Sequence, residues 1–179
     1  MRGSCSSYHR RNQVMKRDHF KFAQLHAVHV LLPLMVGGSI YICYRGTSLR
    51  MFAWYDVAGL HECVQLARSM AAPFRSTLPD WTVYSLPNGL WVYSLTAFML
   101  LVWQRQGASR IGLAWPHLGI VLGLGSEALQ LAGVLSGTFD SVDSWLCITF
   151  YLLAFVLLRG PAKIITGFNQ SRKTVEVTK

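Results

Sequence analysis

Between Phe22 and Tyr44 the chain runs 23 residues without a single Lys, Arg, Asp or Glu. At helical rise such a run measures roughly 35 Å, enough to cross the hydrocarbon core of a bilayer. Three more apolar blocks of comparable character follow, at 86–103, 111–133 and 142–158. Only 14% of the 179 residues are charged, against about a quarter in soluble domains. Blocks of this length, rather than short amphipathic runs, predict an all-α integral membrane protein: a four-transmembrane-helix bundle over 22–158. A basic tail precedes it at 1–21 and another follows at 159–179.

Each block carries marks of its role. Pro33, Gly37 and Gly38 lie inside the first span, where neighbouring helices re-satisfy a broken backbone; they predict a kink or a close packing point. Tyr41 and Tyr44, and later Trp91 and Trp103, fall where an interfacial aromatic belt belongs. Ser85 is placed to cap the second span, and Pro87 suits its first turn. Gly119 and Gly123 form a GxxxG pair in the third, read here as close packing within one chain. The fourth block, counted from Ser144, is short for a span and needs residues from Ser141 onward.

Sidedness follows from the basic residues. With both tails and the Gln104–Arg110 turn on one side, that side holds 13 Lys and Arg against 4 on the other. The positive-inside rule makes the richer side cytoplasmic. The expected arrangement is multi-pass, with both ends inside and the loop 45–85 outside. The formal net charge of +9 collects at the ends. It is read as Arg10, Arg11, Lys16, Arg17, Lys163, Arg172 and Lys173 contacting anionic lipid or a cytoplasmic protein partner; no nucleic-acid motif accompanies it. The first 21 residues lack the apolar region of a cleavable signal, and none precedes Cys5.

In the loop, Val57, Leu60, Val64 and Ala67 recur at helical spacing behind Asp56, a suitable N-cap. The expectation is an amphipathic helix over Asp56–Met70, lying on the outer surface or packing on the bundle. Met51, Phe52, Trp54 and Tyr55 would be its interfacial anchors.

The chemistry-bearing residues gather in the second half. Glu127 lies about 16 residues into its span, roughly 24 Å along a helix that starts inside. Gln130 is one turn on, upon the same face. Asp140 and Asp143 follow in the turn before the last span and suit its positive N-terminal end. Arg45 and Arg50, leaving the first span on the same side, are candidate partners. Acidic groups at this depth face the bundle interior. Three roles stay open: hydrogen-bonding glue between helices, a ligand or ion site, and a catalytic carboxylate pair. His29 and His117 share a depth nearer the cytoplasm and read as hydrogen-bonded packing residues. No third ligand stands with them, and no metal or other cofactor is expected. Cys43, Cys63 and Cys147 fall near the outer side with no metal-ligand spacing, as free thiols unless two of them pair. There is no phosphate loop, nucleotide fingerprint or nucleophile triad.

The stretch GSEALQLAGVLSGTFDSVDSW, from Gly125 to Trp145, resembles the core of the VanZ-like bacterial membrane proteins, where E-x-x-Q near a helix end is followed by an acidic turn and a further span. Glu127, Gln130 and Asp143 match that pattern. The arginine usual in the turn is missing, and Cys147 stands where an asparagine is usual. The resemblance implies a multi-span helical bundle in the bacterial inner membrane and no particular reaction; the family's name comes from glycopeptide-antibiotic tolerance. The functional expectation is a non-enzymatic platform, sensor or anchor subunit that oligomerises and recruits a cytoplasmic partner, in envelope stress, antibiotic tolerance or anti-phage defence. Its rivals are an outer-leaflet lipid or cell-wall precursor enzyme using Glu127 with Asp140 or Asp143, and a transporter or channel.

Overall fold

The computed structural model describes residues 20–46, 50–106, 110–135 and 137–158. Among them every regular element is helical. Three helices are long and apolar enough to cross a membrane: α1 (Phe20–Tyr44), the helix opening at Leu86, whose apolar window is Leu86–Trp103, and the final helix Ser141–Leu158. The loop between the first two folds into α2 (Arg50–Val57), α3 (His61–Ala71), a 3-10 turn (Ala72–Thr77) and α4 (Asp80–Tyr84). Then come α5 (Leu86–Gln106), α6 (Arg110–Ala114), a 3-10 turn (Trp115–His117) and α7 (Leu118–Leu131). The last is α8 (Ser141–Leu158).

The block at 111–133 is thus not one regular helix. Pro116 has no amide hydrogen to donate, and its ring crowds the carbonyl four residues back, so the chain tightens into a 3-10 turn there and resumes at Leu118. Pro33 is accommodated differently. Just before it, Ala27–Leu31 widens into a π-helical turn, closed by Leu32 N–H donating to Ala27 O. The sequence places a kink near Pro33; the structure supplies a π turn on its N-terminal side.

α5 is the axis of the molecule. In its membrane-length window 44% of residues are buried, against 6% in α1 and 22% in α8. Tyr93, Ala97, Leu100 and Leu101 of α5 close a core with Ala154 and Leu158 of α8; Phe22, Leu25 and Val30 pack onto it from α1. On another face α7 presses against α5 through Gly119 and Gly123. A Cβ on Gly119 would lie 2.7 Å from Thr96 Oγ1 and 3.0 Å from Val92 O, and one on Gly123 would lie 2.8 Å from Val92 Cγ2 and 3.2 Å from Cys147 Sγ. Only glycine permits this approach, so the GxxxG pair serves packing within the chain. Gly37 meets the Trp91 indole in the same way, while Gly38 faces open space. Leu31, Met35, Val121, Leu152 and Val156 point outward, a surface suited to lipid.

The loop departs from expectation. Asp56 does not start a helix; it lies near the end of α2. The chain breaks at Ala58–Leu60, where Gly59 takes φ +69°, and α3 begins at His61. Left-handed backbone is cheap for glycine and halts the helix that the apolar spacing suggests. Asp56 instead braces the break, with its Oδ1 2.6 Å from His61 Nδ1. The apolar set divides accordingly: Val64 is buried, while Val57 is 91% exposed. The proposed anchors divide too. Phe52 is buried, with Tyr55 and Arg68 beside its ring, whereas Trp54 is exposed. The Arg68 guanidinium lies 5.3 Å over the Phe52 ring, and its Nη1 donates to Ile42 O at 2.7 Å and Arg45 O at 2.9 Å. A cation there satisfies orphan carbonyls at the C-terminal end of α1 and fastens α3 to it.

Candidate functional site

The C-terminal ends of α1 and α7 and the N-terminal ends of α5 and α8 meet at one end of the bundle and leave a cleft of about 970 Å³. Its walls are Tyr41 and Arg45 at the end of α1, Asp80, Trp81, Tyr84 and Ser85 around α4, Asn88 and Trp91 of α5, Gly123, Ser126, Glu127 and Gln130 of α7, Thr138 and Asp140 of the turn, and Asp143 and Cys147 of α8. Glu127, Gln130, Asp140, Asp143 and Arg45, scattered over about 100 positions of sequence, therefore line a single space. The Arg50 side chain lies outside the described residues. So do Arg10, Arg11, Lys16, Arg17, Lys163, Arg172 and Lys173.

Each carboxylate has a definite task. Glu127 is only 4% exposed, and its Oε2 accepts from Asp140 N–H at 3.3 Å, tying α7 to the turn before α8. Asp140 caps α8: its Oδ1 accepts from Val142 N–H at 2.8 Å. Asp143 Oδ2 accepts from Asn88 Nδ2 at 2.8 Å, tying α8 to α5. Gln130 packs its amide against Gly137 in the turn.

Arg45 does not form the ion pair with these acids that its charge suggests. Its Nη2 donates to Tyr84 O at 3.4 Å, and its guanidinium lies 5.3 Å from the Tyr41 ring and 5.0 Å from the Tyr84 ring. Aromatic faces hold a guanidinium well where full hydration is lost. The described ion pairs are Arg75 with Asp80, at 2.7 Å, and His61 with Asp56. Donating to the Asp80 carboxylate raises Arg75 above its ordinary value, so it stays charged. Tyr41 in turn stacks on Trp91, with ring centroids 5.6 Å apart.

Four buried side-chain polar atoms among the described residues have no protein partner: Arg45 Nε, Ser85 Oγ, Asp143 Oδ1 and Thr96 Oγ1. The first three belong to residues lining the cleft. Ser85 is 1% exposed and its hydroxyl caps nothing; only its backbone bonds, to Trp81 O and from Gly89 N. The capping role expected of Ser85 is thus corrected: α4 runs almost directly into α5, so no free N-terminal turn stands before it. Leaving such a group unmet costs about 1–3 kcal/mol. Three of these atoms border one space.

The sequence marks Ser85 only as a cap and Tyr41 and Trp91 only as belt residues, and it leaves Asp80, Tyr84 and Asn88 unmarked. The available signal was Ser85 and Asn88 at i, i+3 in the opening turn of an apolar span, which puts both on one face. The histidines do not converge. His29 Nδ1 lies 2.6 Å from the Tyr93 hydroxyl, and His117 bonds the Tyr151 hydroxyl and stacks on Phe155. No group of three metal-ligating side chains occurs among the described residues. Cys43, Cys63 and Cys147 are free thiols.

A helical bundle with membrane-length apolar helices and a polar cleft at one end defines the class: a membrane protein by length and composition. No family model, curated protein or solved structure matches the chain.

Proposed function

We propose that this protein is a four-span, non-enzymatic sensor or anchor subunit of the bacterial inner membrane. The cleft opens at the outer face and takes a small ligand, and the basic ends meet lipid or a protein partner in the cytoplasm. The observation that carries the reading is the set of three unpartnered buried polar atoms, on Arg45, Ser85 and Asp143, around one cleft. The fourth span in this reading is α6 with α7, bent at Pro116. The meeting of two helix C-termini and two N-termini at the cleft supports an up-down-up-down arrangement. The almost unburied α1 suits contact with lipid or a second copy, and the likeness of Gly125–Trp145 to the VanZ-like core agrees with a bacterial envelope setting.

The ligand is expected to survive purification. Organic extraction of the protein followed by mass spectrometry should show a molecule enriched in wild type and depleted in Thr138→Trp, which fills the cleft from its exposed turn. An equal complement in both would remove the binding reading. For topology, a reporter active only in the cytoplasm should work when fused at Met1 or Lys179 and fail when inserted at Gly59. A silent C-terminal fusion would leave the chain with an odd number of spans.

An outer-leaflet enzyme is the second reading, favoured by the burial of Glu127 in the cleft wall. Two carboxylates divide acid and base work when their surroundings separate them. Against it, Glu127 and Asp140 are each already bonded to backbone amides.

A further inference from the structure

The unpartnered atoms differ in kind. Arg45 Nε–H and the Ser85 hydroxyl are donors, on α1 and at the α4–α5 junction. Asp143, whose carboxyl lies within hydrogen-bond reach of the Glu127 carboxyl, offers Oδ1 as an acceptor on α8, and Asp140 lines the same cleft, so the ammonium would sit against a pair of carboxyl groups. A simple anion would meet the donors but face three carboxylates. A simple cation would meet Asp143 and leave the Arg45 and Ser85 donors unserved. The lining calls for both charges on one molecule. Because Asp143 offers a hydrogen-bond acceptor, the positive end should carry N–H groups, which a quaternary ammonium lacks. Tyr41, Tyr84 and Trp91 give the remainder an aromatic wall, and the site lies at the ends of membrane-length helices, where headgroups are found.

We propose that the cleft binds a phosphate joined to a primary amine, of the phosphoethanolamine type, with the phosphate at Arg45 and Ser85 and the ammonium at Asp143 beside Glu127. The group could arrive as the headgroup of an aminophospholipid or as a free small molecule. The inference rests on the binding reading above and names its ligand class.

The test uses the full chain purified in a neutral detergent, stripped of lipid and titrated by native mass spectrometry and thermal stabilisation. The probes are phosphatidylethanolamine, phosphatidylcholine, phosphatidylglycerol and soluble phosphoethanolamine. Phosphatidylethanolamine should bind about tenfold or more tightly than the other two lipids, the worth of one charge-assisted hydrogen bond. Asp143→Asn should erase that preference, and Ser85→Ala should weaken phosphatidylethanolamine and phosphatidylglycerol alike. The wild-type lipid series carries the result even where a variant fails to fold. Competition by soluble phosphoethanolamine identifies the headgroup alone as sufficient; its failure beside tight lipid binding identifies the lipid as the source. Equal binding of phosphatidylcholine, or an extracted ligand lacking amine or phosphate, overturns this inference and leaves a binding cleft standing. No binding by any probe and no retained molecule overturns both.

Discussion

Glu127→Gln should assemble as wild type does, and Glu127→Leu should not. The carboxylate is buried, and its Oε2 is the acceptor for Asp140 N–H, the bond that closes the α7–α8 turn. Glutamine keeps the length, the shape and a carbonyl acceptor. Leucine leaves the Asp140 amide without its partner beside the residue that caps α8, at a cost of about 1–3 kcal/mol. In a membrane-spanning setting the neutral glutamine also removes the penalty of a charge at depth, so its bundle should be no less stable. Melting followed by size exclusion in detergent checks both. Wild-type assembly of Glu127→Gln with its ligand still retained, together with complete loss of the cellular phenotype, would instead favour the enzyme reading, because binding would be intact and only the ionisable group itself would be missing.

Gly119→Ala should be the most damaging single methyl in the bundle. The added carbon would lie 2.7 Å from Thr96 Oγ1 and 3.0 Å from Val92 O. Thr96 is fully buried and Val92 O is backbone, so neither yields without α7 moving off α5. Overpacking of this kind costs about 1–3 kcal/mol, and here it also shifts the helix that carries Glu127. Gly125→Ala is the matched control. A Cβ there meets nothing within 4 Å, and alanine is the better helix former by up to about 1 kcal/mol. Thermal stability in one detergent should fall for the first and hold or rise for the second. Equal behaviour of the pair would show that close approach at Gly119 does not support the bundle.

The apolar blocks were legible because length and absence of charge are one-dimensional properties: the sequence alone marks Phe22–Tyr44, 86–103 and 142–158, and the three membrane-length helices coincide with them. The block at 111–133 was legible as apolar, but not its interruption, since a proline in a span leads to a kink, a π turn or a 3-10 turn according to its neighbours. Pro33 and Pro116 took different solutions. Asp56 reads well as a cap, and only the backbone reversal at Gly59 shows that the helix lies on its other side. In the cleft, Glu127, Gln130, Asp140 and Asp143 stood out because acids beside apolar runs need a reason. Ser85 reads in the sequence only as a cap and Asn88 carries no mark, because uncharged polar residues are common in spans. Arg45 was placed at the right end and given the wrong partner, since charge sign suggests carboxylates while geometry offered Tyr41 and Tyr84.

The π turn in α1 and the 3-10 turn ahead of α7 have a mechanical consequence. Each is a joint at which rotation of one half of a helix is absorbed before it reaches the other half. Within the described residues α5 and α8 have no such joint. They are also clasped at both ends, by Asn88 on Asp143 in the cleft and by Leu100 and Leu101 in one core with Leu158 at the far end. A guest that loosened Asp143 from Asn88 would work α8 as a lever against α5, with its far arm at Leu158. In the proposed reading, the stiff pair, rather than α1 or α7, is the route by which an event in the cleft would be felt at the far end of the bundle.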